Sequence, residues 1–473
     1  MDVHIRLGQR GELSVQIYRQ LLSAILDGRL RPGERLPATR ELAQRVGVSR
    51  NTVAVAYEQL TADGVLVGRV GAGSYVSERI PMREAMPRRA PAGAVQPLAR
   101  WQSLPPPIEL ASTASAYDFA VGIPDAHLFP RTTWRRFLAS EWRTPLAQHA
   151  RYGNPAGHSG LRAAIARHVG LSRAVRADPS DVIVTQGAQQ AFDMIGRVLI
   201  GQGTCVAVED PGYPLVQRLF RSLGAGVVGV PVDEEGLQVE AIPRQASLVY
   251  VTPSHQFPLG MAMSFRRRAA LLTWAERRGA VVIEDDYDSE FRFDGRPLDP
   301  LQSLDRTGRV IYVGSFSKVL LPTLRMGFLV APASLRTALL TARQLTDWHG
   351  DLIAQAALAR FIDRGLLARH IRKVMRVYAA RHARILESIE RRCSRRLRVI
   401  PSAAGLHLAA VAVGAAPNIR RVVERARSRG VRVGVLSDYS LGAPSEAGVV
   451  IGYGAIPSSR IDEGLRQLAA SFV

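Results

Sequence analysis

The sequence predicts a multidomain chain: a small N-terminal module of three helices and a β-hairpin, then a large α/β domain carrying a smaller α+β subdomain. Three observations carry this prediction. The first eighty residues place apolar positions at helical spacing and then two short strand-like runs about a Gly-rich tip. Residues 80–116 are rich in Pro and Arg. From Tyr117 onward, apolar runs of strand length alternate with helical stretches. The boundaries expected are 1–79, 80–116 and 117–473.

At 473 residues the chain exceeds a single ordinary core, and 47% hydrophobic residues exclude a disordered chain. Lys and Arg number 62 against 41 Asp and Glu, a net charge of +21 that favours polyanionic partners. The two cysteines, Cys205 and Cys393, lack metal-ligand spacing, so no metal site is expected and a reducing compartment is. No apolar stretch reaches membrane-spanning length, which leads to the expectation of a cytoplasmic protein with no membrane partner.

In the N-terminal module, Val15 to Leu26 reads as a helix with Ile17, Leu21, Leu22 and Ile25 at helical spacing, broken by Gly28 and Pro32-Gly33. Thr39 is placed as the cap of a second helix, Arg40 to Val46, with Leu42 and Val46 inward. Gly47 permits a tight turn, and Ser49 caps a third helix. There Val53, Tyr57 and Leu60 form one buried stripe. Arg50, Asn51 and Thr52 therefore occupy the first turn away from the core, where they suit major-groove and phosphate contacts. Val65 to Val67 and Ser74 to Val76 flank a basic tip, Gly68 to Gly73, as the strands of a wing. Beyond it, Pro81, Pro87, Pro91, Pro97 and Pro105 to Pro107 describe a semi-extended tether without a core of its own.

In the large domain, strand-like runs stand at Val182–Val184, Val206–Val208, Leu248–Val251, Val281–Ile283 and Val310–Val313. Helical stretches such as Gln189 to Ile200 and Arg266 to Arg278 lie between some of them, which implies a mainly parallel sheet covered on both faces. A long helical region follows near Asp351 to Arg391. The runs Leu406–Leu408 and Val449–Ile451 belong to the α+β subdomain.

The chemistry gathers at strand ends. Lys318 follows Gly314-Ser315-Phe316-Ser317, and Asp285, Asp286 and Tyr287 follow the strand Ala280 to Ile283. Gly187 and Ala188 stand between a strand and a helix, where backbone amides favour an anion, and Tyr213 is on a turn after Glu209. An amine, a carboxylate, an aromatic ring and a dianion cradle are what pyridoxal 5'-phosphate (PLP) requires. Either Asp285 or Asp286 could meet its pyridine nitrogen.

Leu36 to Ala43 and Gly47 to Val53 resemble the winged helix-turn-helix of GntR-type bacterial regulators. By that resemblance Arg40, Ser49, Arg50, Asn51 and Thr52 touch double-stranded operator DNA, with Arg69 and Gly71 on the wing. Residues 117–473 resemble fold-type I PLP-dependent aminotransferases. The strings Tyr152 to Gly157, Val251 to Gln256, Glu284 to Phe291 and Gly405 to His407 make the whole chain similar to the MocR subgroup of GntR regulators. The resemblance implies an internal aldimine on Lys318, Asp285 on the pyridine nitrogen with Asp286 in reserve, and Tyr287 on the phenolic oxygen with His255 or Gln256. It further implies Tyr213 stacked on the ring and Gly187, Ala188, Ser315, Ser317 and Arg325 on the phosphate, joined by Tyr152 from a second subunit of a head-to-tail homodimer.

One departure matters. Aminotransferases anchor the substrate carboxylate with a late arginine, yet Val449-Val450-Ile451-Gly452-Tyr453 has no cation, and Leu215 is apolar as well. The function expected is a PLP-dependent transcriptional regulator. PLP, or its aldimine with an amine or amino-acid effector, would control operator binding, and vitamin B6 synthesis or amine metabolism would be the target. An active aminotransferase carrying a DNA-binding domain is the alternative.

Overall fold

The computed structural model describes residues 5–8, 11–69, 72–78, 93–107, 115–143, 151–293, 298–414, 418–442 and 446–472. The chain divides into two compact units, Met1–Pro97 and Leu98–Val473.

In the first unit the helices Leu13–Leu26, Thr39–Val46 and Arg50–Ala62 close on one core. Ile17, Leu21, Leu42, Val53 and Leu60 are buried there, with Val46 packed at its edge. Thr39 is not the cap of the second helix but its first residue. Ala38 takes the cap position, with no side-chain bond to the helix. Ala38 is the last non-helical residue, at φ −57° and ψ 146°, and the chain turns helical one residue sooner than the cap rule predicts. Gly47 ends that helix in the left-handed region at φ 70°. Ser49 does cap the third helix, accepting the Thr52 backbone N–H at 3.1 Å. The Tyr57 hydroxyl donates to the Pro37 carbonyl at 2.9 Å, tying the third helix to the start of the second.

The hairpin pairs Leu66–Arg69 antiparallel with Gly73–Val76, Leu66 opposite Val76, and Arg35 bridges to Tyr75 on the far side. Gly71 lies outside the described residues. The proline-rich stretch is not wholly a tether: Ala99–Gln102 forms one helical turn, and Leu98 onward belongs to the second unit.

The second unit is built on eight strands. Their order is Val182–Thr185, Gly327–Val330, Val310–Ser315, Val281–Asp286, Ala246–Val251, Cys205–Asp210, Gly226–Asp233 and Gly236–Leu237. The five central strands from Val310–Ser315 to Gly226–Asp233 pair in parallel, while Gly327–Val330 runs antiparallel to both neighbours. Alternate residues serve opposite faces. Val206, Val208 and Tyr250 pack with Phe192 and Ile195 of the helix Ala188–Leu199. Ala207, Val249 and Val251 pack with Leu271 and Ala275 of the helix Phe265–Arg278. Both faces are thus covered, which is why these strands read as continuous apolar runs.

The long helical region is two helices, Leu352–Asp363 and Leu366–Cys393, broken by Gly365 at φ 68°. The subdomain sheet runs Leu397–Val399, His407–Ala412, Gly448–Gly452, Gly434–Val435, all antiparallel, with the helices Ile419–Ser428 and Ile461–Ala469. Val449, Val450 and Ile451 are fully buried in it. Among the described residues no helix is long and apolar enough to cross a membrane.

Candidate functional site

Open α/β sheets expose the carboxyl ends of their strands to ligands. Here the ends at Asp286 and Ser315 and the turn before Ala188 surround a cavity of about 320 Å³. Of the residues singled out from sequence, Lys318, Asp285, Tyr287, Tyr213, Ala188, Ser315, Ser317 and Arg325 line it.

The Lys318 Nζ donates to the Gly122 carbonyl at 2.7 Å. Burial lowers its pKa, and the Asp288 and Asp285 carboxylates pull partly the other way. Burial therefore favours the neutral, nucleophilic form of the amine.

Asp285 and Asp286 are neighbours on one strand, so they point to opposite faces. Asp285 faces the cavity. Its Oδ2 accepts from the Tyr250 hydroxyl at 2.6 Å, while its buried Oδ1 has no hydrogen-bond partner among the described residues. Burial pushes this carboxyl up to about 7. Asp286 faces away, 3.0 Å from Arg173 Nε and accepting from the Tyr312 hydroxyl at 2.5 Å. Burial pushes it up too, but Arg173 and Tyr312 outweigh that and hold it below its ordinary value. The pair left open by the sequence is separated by the pleat: one carboxylate for the cavity, one for the fold.

Tyr287 reaches His255 behind it, its hydroxyl 2.9 Å from Nδ1 and donating to the His255 carbonyl at 3.0 Å. The same Nδ1 lies 3.0 Å from Asp288 Oδ1. His255 thus supports Tyr287 from outside the cavity lining. Ligand atoms of His255, Asp288 and His407 lie within 4.8 Å of one another. Asp288 already accepts from His255 and the Leu406 backbone N–H, while His407 shares in none of these bonds.

Gln256 does not reach the cavity. Its amide donates to the Pro211 carbonyl at 2.9 Å and the Phe257 carbonyl at 2.7 Å, and its oxygen accepts from the Leu259 N–H. A side chain so fully spent on closing its own loop has no group left for a ligand.

At the other end, Gly187 precedes the helix Ala188–Leu199 at φ 83°. A Cβ there would stand 3.0 Å from the Arg325 guanidinium, which donates to the Gln186 carbonyl at 2.7 Å. The Ser317 N–H donates to Ser315 Oγ at 3.1 Å. Tyr213 meets Phe257 edge-on at 5.6 Å. Tyr152 stands apart from the cavity of its own chain, 79% exposed and 5.0 Å from Trp348.

Sequence reasoning gave no role to Gly122, Tyr250, Phe257, His407 or Tyr439, which also line the cavity. Gly122 lies 196 residues before Lys318, and Tyr250 belongs to a run indistinguishable from ordinary strand core. Among the described lining residues the only cations are Lys318 and Arg325.

In the first unit Arg40, Ser49, Arg50 and Asn51 are exposed and Thr52 is half-buried beside the Ser49 cap. Arg69 is exposed, its guanidinium 4.8 Å from the Tyr75 ring centre and 3.9 Å from Glu78. The third helix therefore presents a polar, cationic N-terminus outside the core.

The cavity fits PLP: an amine, an unpartnered buried carboxylate oxygen, and a helix N-terminus with two serines and an arginine for a dianion. The comparisons agree. Residues 13–76 match the family of bacterial regulatory proteins of the gntR type, and residues 144–417 match aminotransferase class I and II. The probable rhizopine catabolism regulatory protein MocR of Rhizobium meliloti is 36% identical, covering 97% of this chain and 93% of its own. The pyridoxine biosynthesis regulator PdxR of Corynebacterium glutamicum is 32% identical over 96% of this chain and 95% of its own. Among solved structures, Pyrococcus horikoshii kynurenine aminotransferase aligns with TM-score 0.71 and 27% identity over 76% of this chain and 91% of its own. Thermus thermophilus LysN, complexed with N-(5'-phosphopyridoxyl)-L-leucine, aligns with TM-score 0.69 and 29% identity over 75% and 91%. A GntR helix-turn-helix followed by an aminotransferase-like PLP-binding domain, matched nearly end to end by named regulators, places this chain in the MocR group of GntR-family transcriptional regulators.

Proposed function

We propose that occupancy of the Lys318 cavity sets the operator affinity of the Arg50 helix, so that PLP, or an amine exchanged onto it, is the signal. The observation that carries this reading is that the Lys318 amine and Asp285, whose Oδ1 has no partner among the described residues, line one cavity of a chain that also presents an exposed Arg50 and Asn51. Bound to Lys318, PLP supplies an aldehyde carbon that a free primary amine can take over. Control then requires the ligand to prefer one arrangement of the protein over another.

In this reading Asp285 pairs with the protonated pyridine nitrogen and Tyr287, braced by His255, meets the phenolic oxygen. Tyr213 stacks on the ring. Gly187, Ala188, Ser315, Ser317 and Arg325 hold the phosphate. Tyr152, exposed beside Trp348 in its own chain, completes the neighbouring cavity in a head-to-tail homodimer. The relatives' names suggest two target classes, pyridoxine biosynthesis as for PdxR and a catabolic pathway as for MocR, named for rhizopine catabolism. The scarcity of cations in the cavity disfavours steady amino-acid transamination, since a substrate carboxylate would lack its counter-charge.

Borohydride treatment of the PLP-loaded protein followed by peptide mass analysis tests the site. A pyridoxyl group on Lys318 supports it; label elsewhere, or none, refutes it.

A further inference from the structure

Several polar side chains of the cavity, among them Gln189, Thr252, Tyr439 and His407, are used by none of these roles, and of these His407 alone has two polar atoms unpaired among the described residues. His407 opens the strand His407–Ala412, lines the cavity and is 1% exposed, yet neither ring nitrogen has a hydrogen-bond partner among the described residues. The Pro258 carbonyl lies nearby but outside hydrogen-bond geometry. The ring is held in place by others, with centres 4.8 Å from His255, 5.3 Å from Phe257 and 6.5 Å from Tyr287. Packing alone would be served as well by a phenyl ring, which leaves no buried nitrogen unpaired. An unpaired buried donor and acceptor are costly until something pairs them.

The charge pattern narrows what that something is. Of the cations of the lining, Arg325 is committed to the cofactor phosphate under the proposed function, and burial favours the neutral form of Lys318 once an incoming amine frees it. Phe257, Tyr439, Val121 and Thr252 bring no charge. Burial, and next the neighbouring His255, hold the His407 pKa well below its ordinary value, so its ring enters neutral with one donor and one acceptor nitrogen. A carboxylate placed against it would be buried without a counter-charge. A hydroxyl, which both donates and accepts, pairs with either tautomer.

We propose that His407 reads a hydroxyl group on the effector, so that the ligand class is a hydroxylated primary amine without a carboxylate. This rests on the reading that an amine exchanges at the Lys318-bound cofactor. Such an exchange would balance without an oxidant or reductant: the incoming nitrogen would replace that of Lys318 on the cofactor's carbonyl-derived carbon, and its protons would pass to Lys318, which would leave as a free amine.

Three probes of one skeleton test it: serinol, serine and isopropylamine, titrated into the PLP-loaded full chain and followed by the absorption of bound cofactor. Serinol is expected to bind about tenfold tighter than either of the others. His407→Phe should bring serinol down to the level of isopropylamine while leaving isopropylamine unchanged, and His407→Gln, which retains a donor and an acceptor, should restore the preference. Serine binding as tightly as serinol overturns the proposal, as does a serinol preference that survives His407→Phe. PLP that loads normally but shows no ranking of the three refutes this inference alone. Failure of PLP to load on Lys318 refutes the proposed function with it.

Discussion

Lys318 Nζ donates to the carbonyl oxygen of Gly122 at 2.7 Å, across 196 residues of sequence. The contact fixes the amine over the cavity, and it demands a glycine. Gly122 has φ 71°, and a Cβ on it would stand 2.8 Å from Nζ. Gly122→Ala would strain the backbone and push the amine aside. PLP affinity measured by absorption titration should fall about tenfold or more, on the order of 1–3 kcal/mol for a strained residue. Unchanged affinity would show that Lys318 does not depend on this support.

The Asp285 carboxyl makes stability depend on pH in a definite direction. Its pKa is about 7 in the folded chain against an ordinary 3.8. Below both values the two states are equally protonated. As pH rises from about 4 to 7 the unfolded chain releases a proton that the folded chain keeps, so stability falls, by a few kcal/mol at most. Asp285→Asn should raise the melting temperature of the PLP-free protein at pH 8 and flatten that fall. It should also abolish the stabilisation that added PLP gives the wild type. Glu209 and Glu284, pushed to about 7 by burial as well, will leave a residual slope in the variant. A variant without PLP that is less stable than wild type at pH 8 would contradict the assignment.

Ser49 and Arg50 separate folding from recognition. Ser49 caps the third helix through the Thr52 N–H, so Ser49→Ala should cost about 1 kcal/mol of stability. Arg50 is exposed and has no ion pair among the described residues. Arg50→Ala should leave the melting temperature unchanged, weaken DNA binding and reduce the salt slope of log K by about one. Unaltered DNA affinity would remove Arg50 from the interface.

How far the sequence could be read follows from the range of each signal. The Arg50 helix was legible because its buried stripe and Ser49 cap are local, spaced by single turns. The Asp285 strand was legible as a strand, but choosing between Asp285 and Asp286 required knowing which face Arg173 covers, and Arg173 lies 113 residues away. Gln256 is adjacent in sequence to His255, which contacts Tyr287, and was misleading for that reason: the loop turns its amide onto the Pro211 and Phe257 carbonyls. Thr39 failed as a cap because its own backbone is already helical and the non-helical cap conformation falls on Ala38. Gly122 carries no local signature, and His407 stands in a family-like string, Gly405 to His407, that assigns it no role. Each acquires its place only when a distant segment folds across Lys318.

Tyr152 gives a test of assembly. If each cavity is completed by the other subunit, Tyr152→Ala and Lys318→Ala should each lower PLP loading alone. Mixed and exchanged, they should recover wild-type affinity in about one cavity in four, as two-fold symmetry requires. No recovery on mixing would place Tyr152 outside the partner's cavity.

Operator affinity with the cofactor site filled and empty is the decisive quantity. The dissociation constant of the full chain for its own upstream double-stranded DNA, at one fixed salt concentration, should differ between PLP-free and PLP-loaded wild type by about fivefold or more, the usual lower reach of coupling between sites. In Lys318→Ala that difference should collapse. Equal affinities for PLP-free and PLP-loaded wild type, unmoved by any added amine, or a Lys318→Ala variant that responds as wild type does, would contradict a switch built on Lys318.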